Sequence, residues 1–112
     1  MTKTYSVVVS ATAKDNMRDG FRWAARHAPE TAARWLERFY QALQTLSRDP
    51  ERCSVAPESP LAGQEIRQFL FGRRPSVWRA LFVIEGSEVR VLHVRRATRD
   101  AASPGELGMP ER

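Results

Sequence analysis

The stretch VWRALFVIEGSEVRVLHVRR, residues 77–96, consists of two apolar segments separated by a turn signal. In the first segment Trp78, Ala80, Phe82 and Ile84 fall on one face and Val77, Arg79, Leu81 and Val83 on the other, the two-residue period of a pleated strand. Gly86 punctuates the chain, and VRVLHVR then runs back, so the stretch predicts a β-hairpin. Arg79 is thus a cation on an otherwise apolar face. The second strand ends in His93, Arg95 and Arg96, with Arg99 just beyond.

Upstream, EIRQFLF (residues 65–71) predicts a further strand, joined to the hairpin by GRRPS. Residues 48–64 hold four Pro or Gly residues and no periodicity, which predicts a loop. Before that loop lie two helical patterns. Between residues 13 and 28, Met17, Phe21, Ala24 and Ala28 are spaced 4, 3 and 4, while Lys14, Asp15, Arg18, Asp19 and Arg22 take the opposite face. Gly20 is a weak helix former in the middle of this pattern. Pro29 stops the first helix and suits the first turn of a second, where Glu30 complements the N-terminal dipole. The second helix is expected to run to about Arg48, with Ala32, Leu36, Phe39, Leu43 and Leu46 on one face, widened by Trp35 and Tyr40. So short a connection predicts an antiparallel helical hairpin. At the N-terminus TYSVVVSA (residues 4–11) predicts a strand.

The order is therefore β-α-α-β-β-β. It implies an α+β fold in which a helical hairpin packs on one face of a small antiparallel sheet, leaving the other face to present side chains to a ligand. Residues 1–100 are expected to form the domain and residues 101–112, small and rich in Pro and Gly, a loose tail. A chain of 112 residues can bury about two-thirds of its unfolded surface without a disulfide or a metal.

The charge is uneven. The chain carries 18 basic and 13 acidic residues, a net of +5. Between Ile66 and Arg99 there are eight arginines against Glu85 and Glu88, a local net of +6. Such a region calls for an anionic partner to offset its self-repulsion, be it an acidic protein segment, an acidic protein surface or RNA. Arginine suits bidentate contact with carboxylate or phosphate. Cys53 is the single cysteine, which excludes an intrachain disulfide and a Cys-rich metal site and fits a reducing compartment. No signal-peptide pattern and no run of about 20 apolar residues is present, so a cytoplasmic protein without membrane contact is expected.

The stretch GRRPSVWRALFVIEGSEVRVLHVRR, together with the element order, resembles the RelE/ParE superfamily of toxins from type II toxin-antitoxin systems. The resemblance rests on Trp78-Arg79-Ala80-Leu81-Phe82, on the Glu85-Gly86 turn, and on the run from Val89 to Asp100. It spans residues 5–100. It implies a protein held inactive by a cognate small antitoxin, with no cofactor and no metal.

Two activities occur in this superfamily. RelE-like members cleave messenger RNA on the ribosome, and ParE-like members, of the plasmid-stabilisation type, inhibit DNA gyrase without nuclease activity. Under the nuclease reading Arg79 takes the place of the RelE-type arginine after an aromatic on the middle strand. Arg95 or Arg96 lies near a second arginine, and Arg67 near a basic residue of the preceding strand. The RelE-type C-terminal tyrosine has no counterpart, because no tyrosine follows Tyr40. His93 would then have to act as the acid or base, with Arg79 and Arg96 stabilising charge. The ending LHVRRATRD is closer to ParE-type sequences, which favours inhibition by binding over cleavage. A degenerate member that only binds a partner is a third reading.

In all three readings Arg67, Arg73, Arg74, Arg79, Arg95, Arg96 and Arg99 form the expected recognition surface for target or RNA. Blander roles stand beside these. Arg79 could lay its stem on the sheet with its head in solvent, Arg73 and Arg74 could be solvated loop residues, and His93 an ordinary sheet residue. Trp23, Trp35 and Trp78 are expected in the core or against the antitoxin. Cys53 has no histidine at ligand spacing, so neither zinc nor nucleophilic chemistry is expected of it.

Overall fold

The computed structural model describes residues 3–73 and 76–97; Arg74, Arg99 and the tail at 101–112 lie outside them. A strand β1 (Ser6–Val9) leads into helices α1 (Ala11–Ala25) and α2 (Pro29–Gln44). Two 3₁₀ turns and a short helix α3 (Ser59–Ala62) precede strands β2 (Arg67–Phe71), β3 (Trp78–Glu85) and β4 (Glu88–Arg96).

The sheet order is β1-β4-β3-β2. Strands β2, β3 and β4 are antiparallel neighbours, and Gly86, at φ 59°, sits in the two-residue turn between Glu85 and Glu88. Strand β1, however, runs parallel to β4, with Ser6 opposite Glu88 and Val9 opposite Val91. The sheet is therefore mixed, where the sequence predicts a wholly antiparallel one. Tight turns force the last three strands to alternate in direction, whereas β1 is separated from them by the two helices and its direction is not so constrained.

Ser10 joins the first strand to the first helix. Its amide donates to Val91 O, its hydroxyl accepts from Ala13 N at 3.1 Å as the N-cap of α1, and the same hydroxyl donates to Leu92 O. Helices α1 and α2 cover one face of the sheet. There Met17, Phe39 and Leu43 pack against Ala80, Phe82, Val89, Val91 and Val94. Phe39 stacks on Phe71 with centroids 4.6 Å apart and meets Trp35 edge-on at 5.5 Å.

The buried face of α1 is Ala13, Met17 and Gly20, and Phe21 is only half-buried. The glycine has a packing reason. A Cβ there would lie 2.9 Å from Trp78 Cη2 and 3.1 Å from Trp35 Cη2, the tips of two indoles in mutual contact at 5.2 Å. Helix propensity alone favours Gly20→Ala by about 1 kcal/mol. Overpacking two rigid rings costs about 1–3 kcal/mol. The variant is expected to unfold at lower urea concentration than the parent, and a raised midpoint would refute this account.

Strand β4 changes side halfway. Phe82 pairs with Val91 and Leu81 with His93, so Leu92 is an extra residue with nothing opposite it. Before this bulge Val89 and Val91 face the helices, and after it Val94 does. Strict alternation from Val89 would have carried His93 and Arg95 to the helical side; the bulge puts them opposite Leu81 and Arg79 on the other face.

That other face is not left open as the sequence predicts. The segment at 53–66 folds across it, burying Ala56 and Ile66 on Leu81 and Val83 in a second, smaller core. Backbone bonds from Ala56 N to Ile66 O and from Gln68 N to Ser54 O fasten the segment along the outer edge of β2. Pro and Gly break regular structure here without sending the chain into solvent.

Candidate partner-binding surface

The cations singled out in the sequence separate into two groups. Arg67 and Arg79 hold the covering segment on the sheet. The Arg79 guanidinium makes a bidentate pair with Glu58, Nη1 to Oε2 at 2.9 Å and Nη2 to Oε1 at 2.6 Å, while its Nε donates to Gln68 Oε1 at 2.9 Å. Glu58 is wholly buried and Arg79 is 7% exposed, so the head of Arg79 does not reach solvent. A buried carboxylate needs such a partner, and the fork of an arginine fits it with two parallel bonds. Arg67 donates from Nη1 to the carbonyls of Glu51 (3.0 Å) and Cys53 (2.6 Å) and pairs through Nη2 with Glu65 at 2.9 Å. Both guanidiniums are engaged within the chain.

The second group lies where β3 begins and β4 ends. Strand β1 stops at Val9, so on that edge β4 continues without a strand neighbour, and Asn16 of α1 takes the amide of Val94 on Oδ1 at 3.0 Å. A cleft of about 480 Å³ opens between α1 and this end of β4, lined by Gly20, Trp23, Trp78, His93, Arg95 and Arg96 among others. His93 and Arg95 are buried and have polar or electrostatic partners. The Arg96 guanidinium lies over the Trp23 ring at 5.8 Å, and His27 meets that ring edge-on at 6.4 Å. Trp23 itself is 58% exposed, a large apolar surface with a cation above it.

Beyond the Trp35–Trp78 pair lies a second groove, of about 600 Å³, that sequence reasoning missed. Arg34 and Arg38 of α2 line one side and Arg73, from the turn after β2, the other, with Thr31 at the end and Trp35 and Phe71 in the floor. The available signal was the spacing of Arg34 and Arg38, four residues apart on the solvent face of a helix. Helical arginines opposite an apolar stripe read as ordinary solvation, and nothing local indicates that the β2–β3 turn comes to meet them.

Burial pushes the Cys53 thiol up, with Arg52 and Arg67 pulling the other way, so at neutral pH it is overwhelmingly protonated. Among the described residues no group of three or more His, Cys, Asp or Glu could hold a metal ion. No helix among them is long and apolar enough to cross a membrane.

No curated protein matches the chain. Among solved structures, a chain of the chromosomal ParDE TA system from P. aeruginosa superimposes with a TM-score of 0.67. At 18% identity the match covers 83% of this chain and 96% of that one, which establishes a shared fold. The family model described as the ParE toxin of type II toxin-antitoxin system, parDE, matches residues 7–101, the greater part of the sequence. The mixed sheet under a helical hairpin and this match agree: the chain belongs to the ParE toxin family of type II toxin-antitoxin systems.

Proposed function

We propose that the protein is a growth-inhibiting toxin that acts by binding an essential target, with DNA gyrase the expected one, and that a cognate small antitoxin neutralises it. The observation that carries this reading is the engagement of Arg79. A ribonuclease of RelE type would need that guanidinium free to meet the charge developing on phosphorus, and here all three of its nitrogens are held by Glu58 and Gln68. His93 and Arg95 are likewise buried. The lack of any tyrosine after Tyr40 points the same way. Binding to a protein target needs no such group.

The antitoxin is expected at the cleft beside Trp23. An exposed indole under a guanidinium suits a partner segment that offers an apolar side chain beside an acid, ordered on binding. Target contacts are proposed for Arg73 and Arg96, together with Arg74 and Arg99.

The test runs two assays on the purified full chain. Gyrase-catalysed supercoiling is expected to fall in proportion to added protein, and ribosome-bound messenger RNA is expected to stay intact. Cleavage of the message that is lost in His93→Gln would overturn the reading in favour of the nuclease. Normal growth on induced expression without antitoxin would instead identify a member that only binds its partner.

A further inference from the structure

We infer that the groove between α2 and the β2–β3 turn is a contact surface for the phosphate backbone of duplex DNA. Three arginines converge there from two elements, and among the described residues none of Arg34, Arg38 and Arg73 has an ion pair. Arg18, Arg22, Arg67, Arg79 and Arg90, by contrast, all do. Among the described residues no acid lines the groove, Glu30 and Glu37 of α2 being outside its lining. The cationic surface also continues beyond it. Trp35 in its floor touches Trp78, which lines the neighbouring cleft with Arg95 and Arg96. With Arg95 buried, four arginines, Arg34, Arg38, Arg73 and Arg96, border one end of the molecule, more than a single carboxylate or phosphate can engage.

What kind of polyanion fits follows from what the groove lacks. The exposed large apolar residues of the described chain are Val8, Trp23, Val55 and Leu70, and none lines this groove. An acidic peptide would find charges here but, as apolar anchors, only Trp35 and Phe71, half-buried in the floor and already packed on Phe39 and Trp78, whereas projecting anchors carry most of the affinity of a protein interface. A single-stranded nucleic acid would need free ring faces for its bases. Trp35 and Phe71 are half-buried, and their rings are engaged with Phe39 and Trp78. Three guanidiniums without ion pairs among the described residues, over rings already packed within the chain, favour backbone contact, and a duplex presents about one phosphate per 1.7 Å of its axis, twice the density of a single strand. Arg34 and Arg38 stand about 6 Å apart along the helix and can engage neighbouring phosphates, with Arg73 across the groove on another.

Fluorescence anisotropy of a labelled duplex of about 20 base pairs, titrated with the full chain between about 50 and 200 mM salt, tests this. The groove predicts a slope of log K against log salt of about −3 from its three arginines. Arg34→Gln, Arg38→Gln and Arg73→Gln are each expected to weaken binding and to reduce that slope by about one. Arg90→Gln, which removes the same charge from an exposed site on β4, is expected to leave the slope unchanged. The inference fails if the duplex does not bind at the lowest salt, or if Arg90→Gln is as damaging as Arg34→Gln. It also fails if single-stranded RNA or polyglutamate competes as well as the duplex. Binding to bare DNA requires neither gyrase nor antitoxin, so failure here leaves the proposed function standing, and failure there leaves this result intact.

Discussion

Arg79→Ala lowers the stability of the folded chain by about 3–5 kcal/mol, because it leaves the carboxylate of Glu58 buried without its partner. Glu58→Ala is expected to cost a similar amount for the converse reason. Replacing both at once, by Arg79→Met with Glu58→Leu, removes both charges and fills much of the space, so the double variant should lie within about 1–2 kcal/mol of the parent or above it. Urea unfolding of the parent, Arg79→Met, Glu58→Leu and this double variant closes the cycle and gives the coupling energy. Additive losses would mean that the two side chains do not act as a pair. The cycle also bears on function. A growth assay on Arg79→Ala alone cannot separate a lost contact from a lost fold, whereas the double variant keeps the fold without the guanidinium. Growth inhibition that survives in it removes Arg79 from any list of target or catalytic groups.

Phe39→Ala is expected to cost about 3–5 kcal/mol, the usual range for deleting a fully buried phenyl ring. Phe39 is the ring on which α2 meets the sheet, wholly buried between Phe71 and Trp35. Losing it removes both aromatic contacts, and the rings left around the void sit on α2 and β2, which cannot both close on it. Phe39→Leu keeps most of the volume and should cost clearly less. Thermal and urea unfolding would both report the difference, with an unchanged urea slope as the sign that only stability has moved. Equal losses in the two variants would show that ring volume at this position is not what joins helix to sheet.

The hairpin at 77–96 and the stripe of α2 were legible because each is a local period. Trp78, Ala80 and Phe82 face the helices as their alternation predicts, and Ala32, Phe39 and Leu43 are buried as their spacing predicts. What local period does not carry is the identity of a partner from a distant segment. Glu58 sits in a Pro-rich stretch 21 residues before Arg79, and only the folded chain shows that the carboxylate closes over the cation. The same holds for Gly20, a weakness in a helix until two indoles from α2 and β3 are placed against it. Among the candidate cations, sequence registers charge and misses what neutralises it. Arg67 and Arg79 are engaged internally, while Arg34 and Arg38, unremarkable on the outside of a helix, line a groove. The parallel placement of β1 was hidden for a related reason, since nothing in TYSVVVSA encodes which neighbour it will find.

The extra residue at Leu92 makes β4 two half-strands written in opposite reading frames. Upstream of it, every second position is locked into the helix-side core and tolerates only apolar side chains. Downstream, His93 and Arg95 fall in the other frame, out of that core, and are buried on the opposite side instead. Removing Leu92 would merge the frames, turning an imidazole and a guanidinium under α1 and expelling Val94. One extra residue thereby lets a single strand serve two layers, feeding the helix-side core with Val89, Val91 and Val94 and the opposite face with His93 and Arg95.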